Sequence, residues 1–315
     1  MKRNLWKSAL AGSLMLAATF TVAAGPLQRS DVASDPIWVL HVDCDALKQT
    51  VVGKYVLGEM EKPEAQKKFA AFQAIFNFDL RTGLRGFTLY GTASEPEDGV
   101  MLVYADFDAA RLTTLAEGAK EHKSTTRGNH TVHSWLDEKK PAKDGVKPRS
   151  YAAIHNGRVI FAQKESRVVD ALDVLDRIRP NLSASPAYAG LGANADSSFI
   201  VGAARKIELP ASDPNAAVLK QSKMVWLNIG ESEGQARATL KLDANSEDVA
   251  KQIESIGRGL LGLLALQSDK PESVKLAQAL AIQQEGAGVI VKLSLSVDDV
   301  VGMMKAGAAK KAEQN

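Results

Sequence analysis

A unit of apolar strand, polar stop and amphipathic helix recurs along the chain and constrains the fold more than any other feature. Its clearest copy is at residues 101–116, where Asp106-Phe107-Asp108 separates an apolar strand from a helix with Leu112 and Leu115 on one face. An Asp or Ser at such a junction accepts hydrogen bonds from free N–H groups in the first helical turn. The unit recurs at residues 38–55, 159–175, 238–256 and 289–304.

The junction residues therefore predict where helices begin. Asp45, Asp108 and Ser246 are the expected N-caps, and Ser296 with Asp299 approximates a capping box. Carboxylate pairs of this kind also serve in acid–base chemistry and metal binding. Because these residues recur wherever a strand meets a helix, capping is the preferred interpretation.

The repeated unit predicts an α+β fold with antiparallel-dominated sheets and helices on one face. Each half of the chain can be written approximately as β-α-β-β-α-β. The halves are expected at residues 37–180 and 197–309, with a linker at 181–196 that is rich in Ser, Ala, Gly and Asn. One continuous sheet and two separate domains are both open arrangements.

The first 24 residues have the pattern of a signal peptide rather than of a folded element. Basic residues precede a short apolar stretch, and small residues at positions 22–24 suit cleavage before Gly25. The apolar stretch is too short to span a bilayer comfortably. An exported protein, periplasmic or secreted, is expected, with an uncleaved anchor as the alternative. Residues 25–36 then form a leader, and residues 310–315 form a tail.

Charge and cysteine content exclude some classes of protein. Removing residues 1–24 leaves 36 basic and 37 acidic residues, so the mature chain lacks the basic surface expected of a nucleic-acid-binding protein. The single cysteine, Cys44, excludes an intrachain disulfide, and stability must come from the core. Cys44 is expected to be a small buried apolar residue.

Three patterns in the sequence are typical of binding sites. Phe69, Phe72 and Phe76 recur at helical spacing, which predicts a core face or an apolar ligand groove. His41 and Asp43 share one face of a strand and are candidate metal ligands, although exposure on a wet face is the preferred interpretation. His130 and His133 form an H-x-x-H pair, but strand spacing places them on opposite faces.

No sequence pattern predicts a catalytic residue or a cofactor. Residues 257–262 match G-x-G-x-x-G, but the match lies within a helical pattern rather than between a strand and a helix. Nucleophile-elbow, P-loop and H-E-x-x-H patterns are absent from the sequence. The glycines are expected to allow close helix packing.

Residues 79–91 (DLRTGLRGFTLYG) and 293–304 (LSLSVDDVVGMM) resemble an uncharacterised group of exported bacterial proteins. Members of that group share a signal peptide, an early strand like that at residues 38–45, and a hairpin followed by an Asp-capped helix. The resemblance implies a structural likeness over most of the mature chain. It implies no activity and no catalytic residues.

Together these patterns favour a non-enzymatic exported α+β protein that binds an unknown protein or acts structurally at the cell envelope. The first alternative is a carrier or sensor of an apolar small molecule, suggested by the Phe stripe and by the apolar run at residues 260–266. The second alternative is a metal-assisted enzyme that uses His41 and Asp43. Nucleic acid is not an expected partner, and no transmembrane segment is expected after signal cleavage.

Overall fold

The computed structural model describes residues 25–142, 145, 147–192, 197–205, 220–267 and 271–313. The predicted signal peptide lies outside the described residues. The helices of the first half are α1 (Cys44–Gln49), α2 (Val51–Met60), α3 (Pro63–Phe76), α4 (Leu80–Gly83), α5 (Ala109–Glu117) and α6 (Glu165–Leu175). Its strands are β1 (Trp38–Asp43), β2 (Leu84–Gly91), β3 (Gly99–Ala105), β4 (Lys123–Arg127), β5 (His130–Leu136), β6 (Arg149–His155) and β7 (Arg158–Ala162).

The described part of the second half contains five strands and three helices. Its strands are β8 (Ser198–Ala204), β9 (Ser222–Ser232), β10 (Gln235–Ala244), β11 (Leu280–Glu285) and β12 (Gly288–Ser296). Its helices are α7 (Glu247–Ala265), α8 (Pro271–Ala279) and α9 (Val297–Glu313).

All of these strands belong to one antiparallel sheet. The order is β11-β12-β10-β9-β8-β1-β2-β3-β7-β6-β5-β4. The halves meet where β1 pairs with β8, with Trp38 opposite Ala204 and Val42 opposite Ile200. The α+β class and the antiparallel sheet are therefore confirmed, and the two halves share one continuous sheet.

Each half follows the same path through the sheet. Three strands form a meander, a helical connection follows, and the chain returns so that a later strand pairs with the third strand of the meander. In the first half β7 returns beside β3, and in the second half β12 returns beside β10. A helix closes each half, α6 in one and α9 in the other.

The helices cover both faces of the sheet, which differs from the expected single face. Val168 and Leu172 of α6 pack with Leu102 and Ile160, in the larger of the two core clusters. Side chains alternate along a strand, so Phe161 points to the opposite face, where Leu112 of α5 lies. We call these the α6 face and the α5 face. Both faces of the sheet are apolar in the first half, and a helix covers each of them.

Strand register carries the α5 face into the second half. Phe161 lies opposite Met101, and the pairing continues through Leu89 and Leu40 to Gly202 and Leu227. Residues of α7 pack on this side in the smaller core cluster, which contains Val225, Leu242, Ala250, Ile282 and Val289. The α6 face of β9 and β10 carries Asn228, Thr239 and Lys241 instead.

Local hydrogen bonds explain why the helices begin where they do. Asp108 accepts from the Arg111 N–H at 3.1 Å, and Ser246 accepts from the Val249 N–H at 3.3 Å, so both predicted caps are confirmed. Ser296 accepts from the Asp299 N–H at 3.1 Å, as expected for a capping box. At α1 the cap is Asp43 instead of the predicted Asp45, because Asp43 accepts from the Ala46 N–H at 2.8 Å.

The described part of segment 181–196 packs against the core. Leu182 and Tyr188 are both fully buried, and the Leu182 N–H donates to the Val32 carbonyl at 2.8 Å. The Tyr188 hydroxyl donates to the carbonyl of Pro36. This segment therefore fixes the leader and covers part of the α6 face.

Part of the surface of α7 is apolar. Leu260 and Leu263 are 56% and 63% exposed and the C-cap Leu266 is 78% exposed, whereas Ala250 near the start of the helix is fully buried. In the part of the chain that the structure describes, no helix is both long enough and apolar enough to span a bilayer.

Candidate functional site

An apolar cavity of about 310 Å³ lies between α5 and strands β5, β6 and β7, on the α5 face. Helix α5 presents Leu112 and Leu115 to it, because these residues recur at helical spacing on the side that faces the sheet. Alternate residues of the strands form the floor. The remaining lining residues are Phe76, Thr113, Ala116, Ala119, His133, Trp135, Ala152, Ala153, Ile154, Val159 and Phe161.

The predicted phenylalanine stripe is only partly used in this cavity. Phe76 lines it, at the end of α3. Phe72 stacks on Phe76 with ring centroids 4.4 Å apart and meets Phe78 edge-on at 5.4 Å. Phe69 is half-buried on the preceding turn and is not a lining residue. The structure therefore brings one residue of the stripe to the cavity and places a second directly behind it.

The second predicted apolar feature, residues 260–266, lies elsewhere. Residues 260–265 end α7 in the other half of the sheet, and Leu260, Leu263 and the C-cap Leu266 are largely exposed. They do not line the cavity.

The polar lining residues of the cavity are His133, Thr113 and Trp135. The His133 side chain is only 9% exposed, and its Nδ1 lies 3.0 Å from Nε2 of His122. Burial, and to a lesser degree the neighbouring His122, lower the pKa of His133, while Glu117 opposes the shift. A neutral imidazole at this wall offers hydrogen bonding without bringing a charge into an apolar cavity.

A second cluster lies on the α6 face, where β5, β6 and α6 meet. His130 Nε2 lies 2.7 Å from Oδ2 of Asp176, and His155 Nε2 lies 2.8 Å from Oδ1 of the same carboxylate. Partial burial disfavours a charged carboxylate, but hydrogen bonds from both histidines hold the pKa of Asp176 below its usual value. Imidazole nitrogen and carboxylate oxygen are both ligands that a transition-metal ion such as zinc binds.

The H-x-x-H pair is split between the two sites, as its strand spacing predicts. His130 faces His155 and Asp176, whereas His133 faces His122 on the opposite side of the sheet. Sequence reasoning missed the clusters because the partners come from distant elements. The one available signal was the N-G turn after His155, which predicts the β6–β7 hairpin but does not indicate that His130 and Asp176 lie beside it.

His41 and Asp43 do not lie on a wet face, which corrects the expected exposure. They are only 3% and 7% exposed, because β1 is a central strand and their side chains lie on its covered α6 face. His41 Nδ1 lies 2.9 Å from the Thr88 hydroxyl and Nε2 lies 3.2 Å from the Gly25 carbonyl oxygen. Burial lowers the pKa of His41, against smaller opposing effects of Gly25 and Asp43.

His41 is the end of a buried polar chain. The Thr88 hydroxyl oxygen lies 3.5 Å from that of Tyr104, the Tyr104 hydroxyl donates to Asp31 at 3.3 Å, and Arg158 donates to the same carboxylate at 2.9 Å. Both ring nitrogens of His41 are already engaged. Within the described ranges, neither His41 nor Asp43 belongs to a group of three residues that could hold a metal ion.

Cys44 and the glycine motif have structural roles in this fold. Cys44 is 9% exposed, as expected for a small buried residue, and burial raises the pKa of its thiol to about 11. Residues 257–262 lie within α7, as predicted. A Cβ at Gly257 would lie 2.8 Å from Ile282, so this glycine does allow close packing, whereas nothing lies within 4 Å at Gly259 or Gly262.

No protein-family model and no curated protein matches the chain. The solved structures that are distantly similar include two crystal forms of TP0453. Crystal form III has a TM-score of 0.48 and 12% sequence identity, over 90% of this chain and 99% of that chain. Crystal form I has a TM-score of 0.46 and 11% identity, over 90% and 98% respectively. Both similarities are remote in backbone as well as in sequence.

Proposed function

We propose that the protein binds an apolar small molecule in the cavity beneath α5, as a non-enzymatic binding protein that acts outside the cytoplasm. The observation that carries the proposal is the apolar wall of the cavity, which is built from α5, the end of α3 and three strands. The location outside the cytoplasm rests on the signal-peptide pattern of residues 1–24.

The size and chemistry of the cavity suggest the class of ligand. Its volume of about 310 Å³ is at the lower end of the range of roughly 300–1,000 Å³ for ligand pockets. A single acyl chain or a small ring system suits this volume. Among the described residues Nε2 of His133 has no protein hydrogen-bond partner, so one uncharged polar group on the ligand can pair with it.

A fluorescence titration with N-phenyl-1-naphthylamine, a neutral probe that brightens in apolar surroundings, tests the proposal. We expect saturable binding and displacement by a medium-chain alcohol. Ala116→Phe should weaken probe binding at least tenfold, because Ala116 lines the cavity and a phenyl ring would fill it. Ala110→Phe is the matched control, since Ala110 is an exposed residue of the same helix and does not line the cavity.

Two results would contradict the proposal. One is absence of saturable binding to the native protein, and the other is equal binding by the Ala116→Phe and native proteins. Native mass spectrometry of protein purified from an exporting host complements the titration. A reproducible excess mass that Ala116→Phe loses would identify the natural ligand.

A further inference from the structure

The cluster of His130, His155 and Asp176 joins three elements that are distant in sequence. His130 begins β5, His155 ends β6, and Asp176 follows the last residue of α6. One donor atom from each residue lies within 4.8 Å of the other two. Across the described ranges, this is the one group of three or more His, Cys, Asp or Glu residues with that spacing.

The distances are close to those of a metal site. Zinc binds imidazole nitrogen and carboxylate oxygen at about 2.0–2.2 Å, which separates the donor atoms of a tetrahedral site by about 3.3 Å. The nitrogen–oxygen distances of 2.7 and 2.8 Å would have to open by only about half an ångström to reach that separation. Magnesium and calcium need oxygen ligands, whereas imidazole suits zinc and its neighbours among the transition metals.

The surroundings leave the cluster available for a cation. His155 is 7% exposed, and its Nδ1 is buried without a hydrogen-bond partner, so Asp176 alone holds this ring by hydrogen bonding. The nearby arginines have other carboxylate partners: Arg127 pairs with Glu165, and Arg158 pairs with Asp31. A metal ion would replace the proton between His155 Nε2 and Asp176, and His155 would lose no other hydrogen bond.

We propose that His130, His155 and Asp176 bind one divalent transition-metal ion with the ligand preference of zinc. Three protein ligands leave a fourth position for water or another ligand. The side chains of His130 and Asp176 are 19% and 32% exposed, so that position faces solvent. A bound ion would attach the end of α6 to β5 and β6, and this site lies on the sheet face opposite the apolar cavity.

Zinc titration by calorimetry tests this proposal on chelator-treated protein that was purified without a histidine tag. We expect one equivalent to bind, and cobalt to give the visible spectrum of a tetrahedral site. Asp176→Asn and His130→Gln should each weaken zinc binding at least about 100-fold, the upper end of the loss for groups that only support a ligand. His122→Gln should bind zinc like the native protein, because His122 belongs to the histidine pair on the other face.

The proposal is overturned if the native protein binds no stoichiometric zinc, or if both Asp176→Asn and His130→Gln bind it unchanged. Circular dichroism checks that these variants remain folded. If a variant does not fold, the ring nitrogen resonances of the native protein decide. Zinc must then shift the resonances of His130 and His155, and shifts confined to His122 and His133 would disprove the assignment.

Discussion

Histidine protonation is the event at the scale of single residues that should change stability near neutral pH. Burial lowers the pKa of both His41 and His133 in the folded protein. The unfolded chain takes up protons first as the pH falls through about 6.5, the ordinary histidine value. Folding stability should therefore be complete above that pH and decrease as the pH falls toward the lowered folded-state values.

Urea denaturation at pH 7.5 and pH 5.5 checks this prediction. The free energy of unfolding should be lower at pH 5.5, and the difference should shrink in His133→Phe, which removes one of the two groups. Lys123→Gln serves as the control, because it changes an exposed residue of β4 that does not titrate in this range. An unchanged pH dependence in His133→Phe would show that this residue does not contribute.

The structural role of a single residue was predictable from sequence where its hydrogen-bond partner is close in the chain. Asp108 and Ser246 cap helices through N–H groups three residues away, so the sequence contains both partners. The burial of His41 was not predictable, because Thr88 satisfies one ring nitrogen from a different strand. A polar residue on a strand suggests exposure unless its distant partner is known.

At the scale of elements, α7 provides a test of the glycine motif. Nothing lies within 4 Å of a Cβ built at Gly259 or Gly262, and both are exposed, Gly259 inside the helix and Gly262 at the start of its last turn. Glycine in a helix interior costs about 1 kcal/mol relative to alanine. Gly259→Ala and Gly262→Ala should therefore each raise the free energy of unfolding by about that amount.

Gly257→Ala is the matched comparison on the same helix. Gly257→Ala should raise the free energy of unfolding by less. The new methyl group would lie 2.8 Å from Cδ1 of Ile282, and that side chain would have to move. Thermal or urea denaturation of the three variants measures the difference. Destabilisation by Gly259→Ala would show that this position needs glycine for a reason other than helix packing.

The period of α7 was predictable from sequence, but the extent of its buried side was not. Val249 and Ile253 pack against the sheet as their spacing predicts, while Leu260 and Leu263 further along the same stripe are largely exposed. Helical spacing identifies one apolar face and does not say how far the neighbouring sheet extends beneath it. The apolar cavity was also not predictable, because its walls come from elements that are separate in sequence.

At the scale of the whole molecule, segment 181–196 connects the halves and also contributes to the core. Leu182 is fully buried there and packs in the larger core cluster. Leu182→Ala should lower the free energy of unfolding by about 2–5 kcal/mol, as for other large-to-small core substitutions. A flexible linker would instead tolerate the change.

Urea denaturation measures this loss, with Leu263→Ala as the control because Leu263 is 63% exposed. Only a small effect, within about 0.5 kcal/mol, is expected for the control. A similarly small effect of Leu182→Ala would contradict the structural role of the segment. The sequence predicted a linker here because Ser, Ala, Gly and Asn dominate the composition of the segment. Composition does not show that its two large side chains, Leu182 and Tyr188, are buried.

In terms of assembly, the chain is arranged like a two-fold dimer whose subunits have been joined. The equivalent strands β1 and β8 pair antiparallel at the centre, as the edges of two identical sheets would across a symmetry axis. The copies differ in their return path, where the first has β4–β7 and the second has only β11 and β12. Both proposed binding sites use β5, one of the two additional strands. Both proposed sites thus belong to one copy, while the other extends the sheet and shields one edge of β1.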